Sequence, residues 1–404
     1  MPPAADLDLR YDARRHAYQR TDEYLFAQLF PYIGSKRKLL PLIARALDLC
    51  GLDPAESSFA DLFAGSGVVA RMAKRLGYAT LANDWEPYAA VFNRAFIGLE
   101  RAPLDPSVFA ELSALPPVEG FVTRHYCPLS DAYPDPTRER CFYTRANGMR
   151  IDAVREQIAA WERAGAIDEA QKAYLLAPLL SAASYVSNTS GVFKAFHAGW
   201  GGATRTALYR ILSDLTLRPP VLWDGGRPAL ATRSDALELV RDWPSLGFGA
   251  LDIAYIDPPY NQHPYGANYH LLNTIALWDE PAVPAFADGK SAIRTDWRTQ
   301  RRSAYNDARA ALAALETLID ALPCRWALMS YSTDGNIPAG DLCGALAARG
   351  ALRCLAQPYK RYRVSAQRMS LRPRTVEFVL VLDRAAAPEP QAAQACLQTI
   401  HDAI

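Results

Sequence analysis

A strand, a glycine-rich turn, a helix and a second strand follow one another without interruption between residues 58 and 84. The apolar run SFAD leads into the turn LFAGSG, the helical stretch VVARMAKRLGY comes next, and ATLAND completes the unit. Short links between such elements imply parallel strands joined by a right-handed crossover. The sequence therefore predicts an α/β fold, with a mixed, mostly parallel sheet and helices on both faces.

This alternation of strands and helices is interrupted once and then resumes. Residues 103–148 are rich in proline, arginine and aromatic residues without a steady period, and two helical stretches follow them. Strands and helices alternate again from about Ala231 to the closing run TVEFVLVL. We therefore predict a split α/β domain with a mainly helical insert and two peripheral tails. Their boundaries are 25–102 and 231–385 for the domain, 103–230 for the insert, and 1–24 and 386–404 for the tails.

Composition limits the partners and the compartment. The 44 basic and 43 acidic residues leave a net charge of +1, so any surface for nucleic acid has to be a local patch. Seven cysteines are scattered without the spacing of a zinc site, so we expect a reducing compartment and no metal. Residues 1–20 lack the apolar segment of a secretory signal, and the longest apolar run is too short to span a bilayer. We expect a cytoplasmic protein with no membrane partner.

The glycine-rich turn favours a nucleotide-like ligand. Gly65 and Gly67 lie where a strand becomes a helix, so the backbone can approach a ligand and the helix offers free N–H groups. Asp84 ends the next strand, where a carboxylate can accept both hydroxyls of a ribose. These residues indicate an adenosine-type cofactor, although a nicotinamide site with Ala70 at the third glycine position, or a turn that merely packs, remains open.

A second motif ends a later strand. The run DIAYIDPPY predicts a buried strand that stops at two prolines, because proline cannot donate to a sheet ladder. Asp257 and Tyr260 flank this rigid turn. In open α/β sheets the carboxyl ends of strands are where ligands bind. We therefore expect a carboxylate and an aromatic ring to face a ligand there.

Together these motifs resemble the D12 group of adenine-N6 DNA methyltransferases, which includes the Dam-type enzymes. The resemblance rests on YIGSKRKLL (32–40), FADLFAGSG (59–67), ND (83–84) and DPPY (257–260), with a large insert ahead of the last motif. GSK stands where Dam-type enzymes have Gly-Gly-Lys. The resemblance implies a Rossmann-like methyltransferase fold that uses S-adenosylmethionine. It further implies transfer of a methyl group to N6 of a flipped-out adenine in double-stranded DNA, with residues 103–230 as the target-recognition region.

The chemistry of an aromatic amine explains the catalytic motif Asp257, Pro258, Pro259 and Tyr260. The amine is a poor nucleophile, because its lone pair is delocalised into the ring. The Asp257 carboxylate and the Pro258 carbonyl can accept its two protons and stabilise the positive charge that develops. The prolines hold these acceptors rigidly, and Tyr260 offers a face on which the base can stack. No metal and no covalent enzyme intermediate are needed.

The resemblance also implies a set of cofactor residues. Lys36 is expected near the methionine carboxylate of the cofactor. Asp235 is expected either to bind the adenine amine or to cap a helix. Phe63 and Trp85 are expected to contact the cofactor or to pack in the core, and His270 to pack. The full set is Tyr32, Ser35, Lys36, Asp61, Phe63, Gly65, Gly67, Asp84, Trp85, Asp235 and Asp257.

Two basic segments are candidate DNA contacts. In the first, QPYKRYRVSAQRMSLRPRTVEF, six cations precede Glu377 with tyrosines interleaved, a composition typical of a phosphate-binding loop or of a solvated hairpin. The second is RTQRRSAY (298–305). The candidate residues are Lys360, Arg361, Arg363, Arg368 and Arg372 in the first segment, and Arg301 and Arg302 in the second. The insert mixes arginine, asparagine and aromatic residues as base-reading surfaces do, without identifying a specificity residue.

Three alternatives remain at this point. Cytosine N4 methylation uses the same fold and amine geometry, although serine usually opens the motif of those enzymes, so Asp257 favours adenine. A nicotinamide oxidoreductase would need a hydride-handling site, for which the sequence gives no sign. A DNA-binding module without activity would not need Asp257. The chain contains no convincing nuclease motif, so a restriction endonuclease partner would be a separate protein.

Overall fold

The computed structural model describes residues 22–360 and 374–403. The described residues form one seven-stranded sheet. In chain order its strands are β1 (Ser58–Asp61), β2 (Ala79–Asn83), β3 (Ala229–Thr232), β4 (Ile253–Ile256), β5 (Trp326–Ser332), β6 (Ala351–Lys360) and β7 (Arg374–Asp383).

The order of the strands creates a switch point at the centre of the sheet. Across the sheet they lie in the order β3-β2-β1-β4-β5-β7-β6, and β7 runs antiparallel to β5 and β6. The chain moves outward from β1 to β2 and β3, and returns to the other side of β1 with β4. Loops that follow β1 and β4 therefore leave in opposite directions, which opens a crevice at the carboxyl ends of these two strands.

Helices connect and cover the strands. The α-helices are α1 (Glu23–Phe26), α2 (Leu40–Asp48), α3 (Val68–Leu76), α4 (Pro87–Phe96), α5 (Val108–Ala114), α6 (Phe121–Tyr126), α7 (Arg145–Arg163), α8 (Glu169–Val186), α9 (Leu208–Ile211), α10 (Ala236–Arg241), α11 (Tyr265–Asn268), α12 (His270–Leu277), α13 (Ala311–Ala321), α14 (Ala339–Ala347) and α15 (Ala392–Asp402). Short 3₁₀ helices span Lys36–Lys38, Trp243–Leu246, Asp296–Arg298 and Ala304–Asn306.

Both faces of the sheet are apolar, as a sheet buried between two helical layers requires. Successive side chains point to opposite faces. Phe59 and Tyr255 pack with α1, α2 and α3, whereas Ala60 and Ala254 pack with α10, α13, α14 and α15. The predicted α/β fold, with a mixed sheet and helices on both faces, is thus confirmed.

The insert is packed onto the α/β domain. Its helices α7 and α8 share one apolar cluster with α4 and α12, which belong to the domain. The buried Arg155 of α7 reinforces the contact, because its Nε donates to the carbonyl of Ile275 at 2.8 Å, in the last turn of α12. The two long helices of the insert are therefore continuous with the core of the domain, and the predicted insert 103–230 also contains the first residues of β3.

Two details differ from the sequence prediction. Residues 351–360 form strand β6 where a helix was expected to lead directly into a basic loop; Pro358 is tolerated because β6 is an edge strand that pairs with β7 alone. The predicted tail 386–404 contains α15, which buries Cys396 and Ile400 against the sheet, so this segment is part of the domain. Among the described residues, no helix has the length and apolarity needed to cross a membrane.

Candidate active site

Asp257 lies directly after β4, at the switch point of the sheet. Its Oδ1 is 2.9 Å from Nζ of Lys36, which comes from the 3₁₀ helix before α2. Both side chains are largely buried. Burial raises the pKa of Asp257, and the neighbouring ammonium of Lys36 partly offsets this effect. The catalytic motif therefore presents a carboxylate that is held in place by a buried cation.

The ammonium group of Lys36 lies beside two carboxylates. Burial disfavours its charged form, but Asp257 and Glu377 together raise the pKa of Lys36 above its usual value. Oε2 of Glu377, on β7, lies 4.0 Å from the same Nζ. Lys36 is expected near the carboxylate of a cofactor, and the structure adds that its ammonium lies against Asp257 and Glu377. The order of residues along the chain does not reveal this contact, because residues 36, 257 and 377 meet only in the folded chain.

The aromatic residue of the motif packs beside this ion pair. The edge of Tyr260 meets the ring of Tyr331 with centroids 5.6 Å apart, and Nζ of Lys36 lies 5.1 Å from the centroid of Tyr260. The carbonyl of Tyr260 accepts a hydrogen bond from the backbone N–H of Asn336. The turn Asp257–Tyr260 is thus fixed both by its prolines and by contacts with the loop after β5.

The glycine-rich turn after β1 needs glycine at two positions. Gly65 and Gly67 have φ values of 51° and 76°, in the left-handed region that other residues rarely adopt. A Cβ atom on Gly65 would lie 2.6 Å from the hydroxyl of Tyr32, and one on Gly67 would lie 2.5 Å from Oδ1 of Asn93. The turn is therefore close-packed against Tyr32 and Asn93, and a side chain at either glycine would displace them.

Asp84 ties this turn to the end of β2. Its Oδ2 accepts a hydrogen bond from the N–H of Gly65 at 2.8 Å, and its Oδ1 accepts one from the N–H of Glu86 at 2.9 Å. Burial raises the pKa of Asp84 to about 6 in spite of these bonds. Each oxygen keeps a lone pair, so Asp84 can also accept hydrogen bonds from a ligand.

A cavity of about 280 Å³ lies between the glycine-rich turn and the catalytic motif. Seven of the predicted catalytic and cofactor-binding residues line it: Tyr32, Phe63, Asp84, Trp85, Asp235, Asp257 and Pro259. Its wall also includes residues that the sequence analysis missed, among them Glu86, Tyr265, Ser303 and Tyr305. The cavity combines apolar walls with a few carboxylates, as sites for small ligands commonly do.

The remaining predicted residues lie behind this wall. Gly65, Gly67 and Asp61 form the turn and the strand end that support it, and Ser35 precedes the 3₁₀ helix that carries Lys36. Burial, with the charges of Asp257 and Asp84, raises the pKa of Asp61 well above its usual value.

One end of the cavity is aromatic. The rings of Phe63 and Tyr305 meet edge to face with centroids 5.4 Å apart. Asp235 lies beside them and also caps α10, because its Oδ1 accepts from the N–H of Leu237 and of Glu238. Asp235 therefore both caps α10 and lines the cavity. Tyr305 was missed, although its position as an aromatic residue in the loop after the catalytic motif could have indicated a ligand contact.

The prediction of Arg301 as a DNA contact needs correction. Arg301 is buried and its guanidinium pairs with Asp296 at 2.7 Å and with Glu86 at 3.4 Å. Burial raises the pKa of Glu86 to about 7, and Arg301 opposes this rise. Arg301 therefore fastens the segment before Tyr305 to the cavity wall, and is not available to DNA. The neighbouring Arg302 is exposed at the rim of the cavity.

The other basic segment connects β6 to β7. The side chain of Lys360 and the residues Arg361, Arg363, Arg368 and Arg372 lie outside the described residues. Because β7 is antiparallel, the strand ends that flank this segment are at the same edge of the sheet as Asp257. Within the described part of the chain, no group of three or more His, Cys, Asp or Glu side chains could hold a metal ion.

Known proteins resemble this chain along most of its length. Type II methyltransferase M.NlaIII of Neisseria lactamica is 32% identical over 357 residues, which are 87% of this chain and 99% of that protein. Modification methylase StsI of Streptococcus sanguinis and Type II methyltransferase M.FokI of Planomicrobium okeanokoites are 31% and 30% identical over 82% of this chain. The chain spans about half the length of these two relatives, 48% and 49%. No solved structure matches the chain.

The family match includes the glycine-rich turn, the insert and the catalytic motif. The model of the D12 class N6 adenine-specific DNA methyltransferases matches residues 32–221 and 235–299, which is more than half of the chain. The fold and the similarity to the relatives agree with this match. The chain belongs to the D12 class N6 adenine-specific DNA methyltransferase family.

Proposed function

We propose that this DNA methyltransferase transfers a methyl group from S-adenosylmethionine to the N6 amine of an adenine flipped out of double-stranded DNA. The observation that carries the proposal is the position of Asp257. Its carboxylate is held by Lys36 at the wall of a cavity that also contains Asp84. An acceptor fixed at this point can bind the protons of an exocyclic amine.

The cavity suits S-adenosylmethionine. Its aromatic end, Phe63 and Tyr305, provides flat apolar surfaces for an adenine ring. Asp84 has oxygen lone pairs for ribose hydroxyls, and the glycine-rich turn can approach the ligand closely. When bound, S-adenosylmethionine supplies an electrophilic methyl group on a positively charged sulfur atom. We expect Tyr32, Asp84, Trp85 and Asp235 to hold it, and Asp257 to face its methyl group.

The protein's part in the reaction is to hold and polarise the target amine. Asp257 and the carbonyl of Pro258 accept hydrogen bonds from the two N–H groups, which favours a pyramidal nitrogen with an available lone pair. Because Lys36 and the two prolines fix Asp257, little reorganisation is needed as charge develops on the nitrogen. Tyr260 stacks on the base. The proton that the methylated amine releases can pass to solvent, since nitrogen loses it readily after attack.

The names of the similar proteins support a proposal for the biological role. Matching proteins are named Type II methyltransferases or modification methylases. We propose that this chain is the modification enzyme of a restriction–modification system, whose nuclease is a separate protein.

The nucleoside that receives the methyl group tests the proposal directly. The purified protein is incubated with tritiated S-adenosylmethionine and unmethylated plasmid DNA, and the DNA is digested to nucleosides and separated by chromatography. We expect the label in N6-methyldeoxyadenosine. Label in N4-methyldeoxycytidine would overturn the target base and leave the role of Asp257 intact. Absence of label, with no binding of S-adenosylmethionine in calorimetry, would overturn the proposed reaction.

Asp257→Ala should lower the rate of methyl transfer by at least about 100-fold, because the amine loses a fixed acceptor. Affinity for S-adenosylmethionine should stay within about three-fold, because the residues proposed to hold most of the cofactor are unchanged. Single-turnover transfer and calorimetry measure the two quantities. Asp252→Ala, at the opposite end of β4, is the matched control. Retained turnover in Asp257→Ala would contradict the mechanism.

Asp84→Ala should weaken binding of S-adenosylmethionine by about 1.5–3 kcal/mol, the typical contribution of a hydrogen bond to a charged group. In the wild-type protein this affinity should also fall as the pH drops below about 6. The reason is that burial raises the pKa of Asp84 to about 6, and the carboxylate that accepts hydroxyl groups is lost as it takes up a proton. Calorimetry across this pH range measures both effects. An unchanged dissociation constant in the variant would rule out the ribose assignment.

Replacing Arg361 and Arg363 together by alanine should weaken DNA binding and reduce the slope of log affinity against log salt by about 2, one for each lost phosphate contact. Fluorescence anisotropy at several salt concentrations measures the slope. Arg325→Ala with Arg353→Ala is a matched control, because these arginines are exposed near the opposite edge of the sheet. Equal slopes in both double variants would show that the 361–363 segment does not contact phosphates.

A further inference from the structure

Glu377 is a buried carboxylate for which the proposed mechanism has no use. It lies at the start of β7, opposite Ser332 of β5, and it is 6% exposed. Its Oε2 accepts no hydrogen bond from the described residues and faces Nζ of Lys36 at 4.0 Å. Lys36 is in turn 2.9 Å from Asp257. Two carboxylates therefore share one ammonium at the catalytic turn.

The charges of this trio do not cancel. With both carboxylates ionised, Asp257, Lys36 and Glu377 carry a net charge of −1 in a largely buried site. Such an excess is costly, because burial disfavours each charged form. An Asp–Lys pair alone would be neutral and cheaper to bury. The net negative charge of the trio would therefore stabilise a positive charge that develops nearby. Methyl transfer places such a charge on the target amine.

We propose that Glu377 is a positioning residue for methyl transfer, which holds Lys36 between itself and Asp257 and gives the trio the negative charge that favours the methylated, cationic amine. This inference rests on the proposed function. Glu377 does not touch the base and acts through Lys36. Without it, the ammonium would neutralise Asp257 alone, and the acceptor would attract the developing charge less strongly.

The groups that face Glu377 support this assignment. Among the described residues, the titratable and charged neighbours are Lys36, Asp257, Tyr260, Asp334 and Tyr359. Burial raises the pKa of Glu377 to about 7; Lys36 opposes the rise and Asp257 adds to it. The folded pKa is above the unfolded value, so Glu377 favours folding below about pH 4.5 and this contribution is lost as the pH rises through about 7. An ionised Glu377 is thus maintained at a cost in stability.

The test uses Glu377→Gln, which keeps the shape and removes the charge. At about pH 8 we expect single-turnover methyl transfer to fall about 10- to 100-fold, with dissociation constants for S-adenosylmethionine and for a DNA duplex within about two-fold of wild type. In the protein without ligands, the melting temperature at about pH 8 should rise by a few degrees, because a buried charge is removed. Asp334→Asn, which removes an exposed neighbouring carboxylate, is the matched control and should change neither quantity.

The pH profile provides a readout that a purely structural role would not change. Under saturating conditions the wild-type rate should fall as the pH drops below about 7, because Glu377 takes up a proton, and this transition should be missing in Glu377→Gln. A rate within about two-fold of wild type, or a slower rate accompanied by a lower melting temperature, would overturn the inference. Either result would leave the proposed function standing if wild type labels adenine. No label in DNA with wild type, together with no binding of S-adenosylmethionine, would overturn both.

Discussion

The site depends on one constraint of topology, the adjacency of β1 and β4 at the centre of the sheet. The chain leaves these neighbouring strands in opposite directions, so the glycine-rich turn and the catalytic turn face each other across one crevice. Asp84 hydrogen-bonds to the first turn and Lys36 pairs with Asp257 in the second. Residues that are more than 150 positions apart in the chain thus form a single cavity without a domain interface.

Burial of charge is the main energetic feature of this crevice. Burial raises the pKa values of Asp61, Asp84, Glu86, Asp257 and Glu377, all of which lie at or behind the cavity wall. Lys36 and Arg301 compensate only part of this negative charge. An unpaired buried carboxylate destabilises a fold, and its retention is understandable where function requires it. The positively charged sulfur atom of the proposed cofactor and the positive charge of the proposed product amine would both suit such a site.

The sequence was informative where function depends on local order along the chain. The strand-turn-helix unit predicted the parallel sheet, and the motif Asp257–Tyr260 predicted the ligand-binding edge, because proline limits a strand whatever surrounds it. The glycine-rich turn alone left a nicotinamide enzyme open, and family membership excludes it. Prediction failed where the decisive partner is distant. Arg301 appeared as a surface cation until folding placed it beside Glu86, and no local pattern in the sequence indicated that Lys36 contacts Asp257 and Glu377.

The two long helices of the insert could be predicted from its sequence, but their packing could not, because it depends on apolar residues of the domain. These helices share an apolar cluster with α4 and α12. Nε2 of His270, on α12, lies 2.8 Å from the carbonyl of Phe193 in the insert, and burial lowers the pKa of His270 to about 4, so the neutral ring donates this bond. The N–H of Phe193 donates in turn to the carbonyl of Asn268, just after the catalytic loop. Moving the insert as a separate body would break these buried bonds. The insert is therefore held by buried hydrogen bonds and apolar packing against the segment that follows Asp257, and the two are expected to move as one unit.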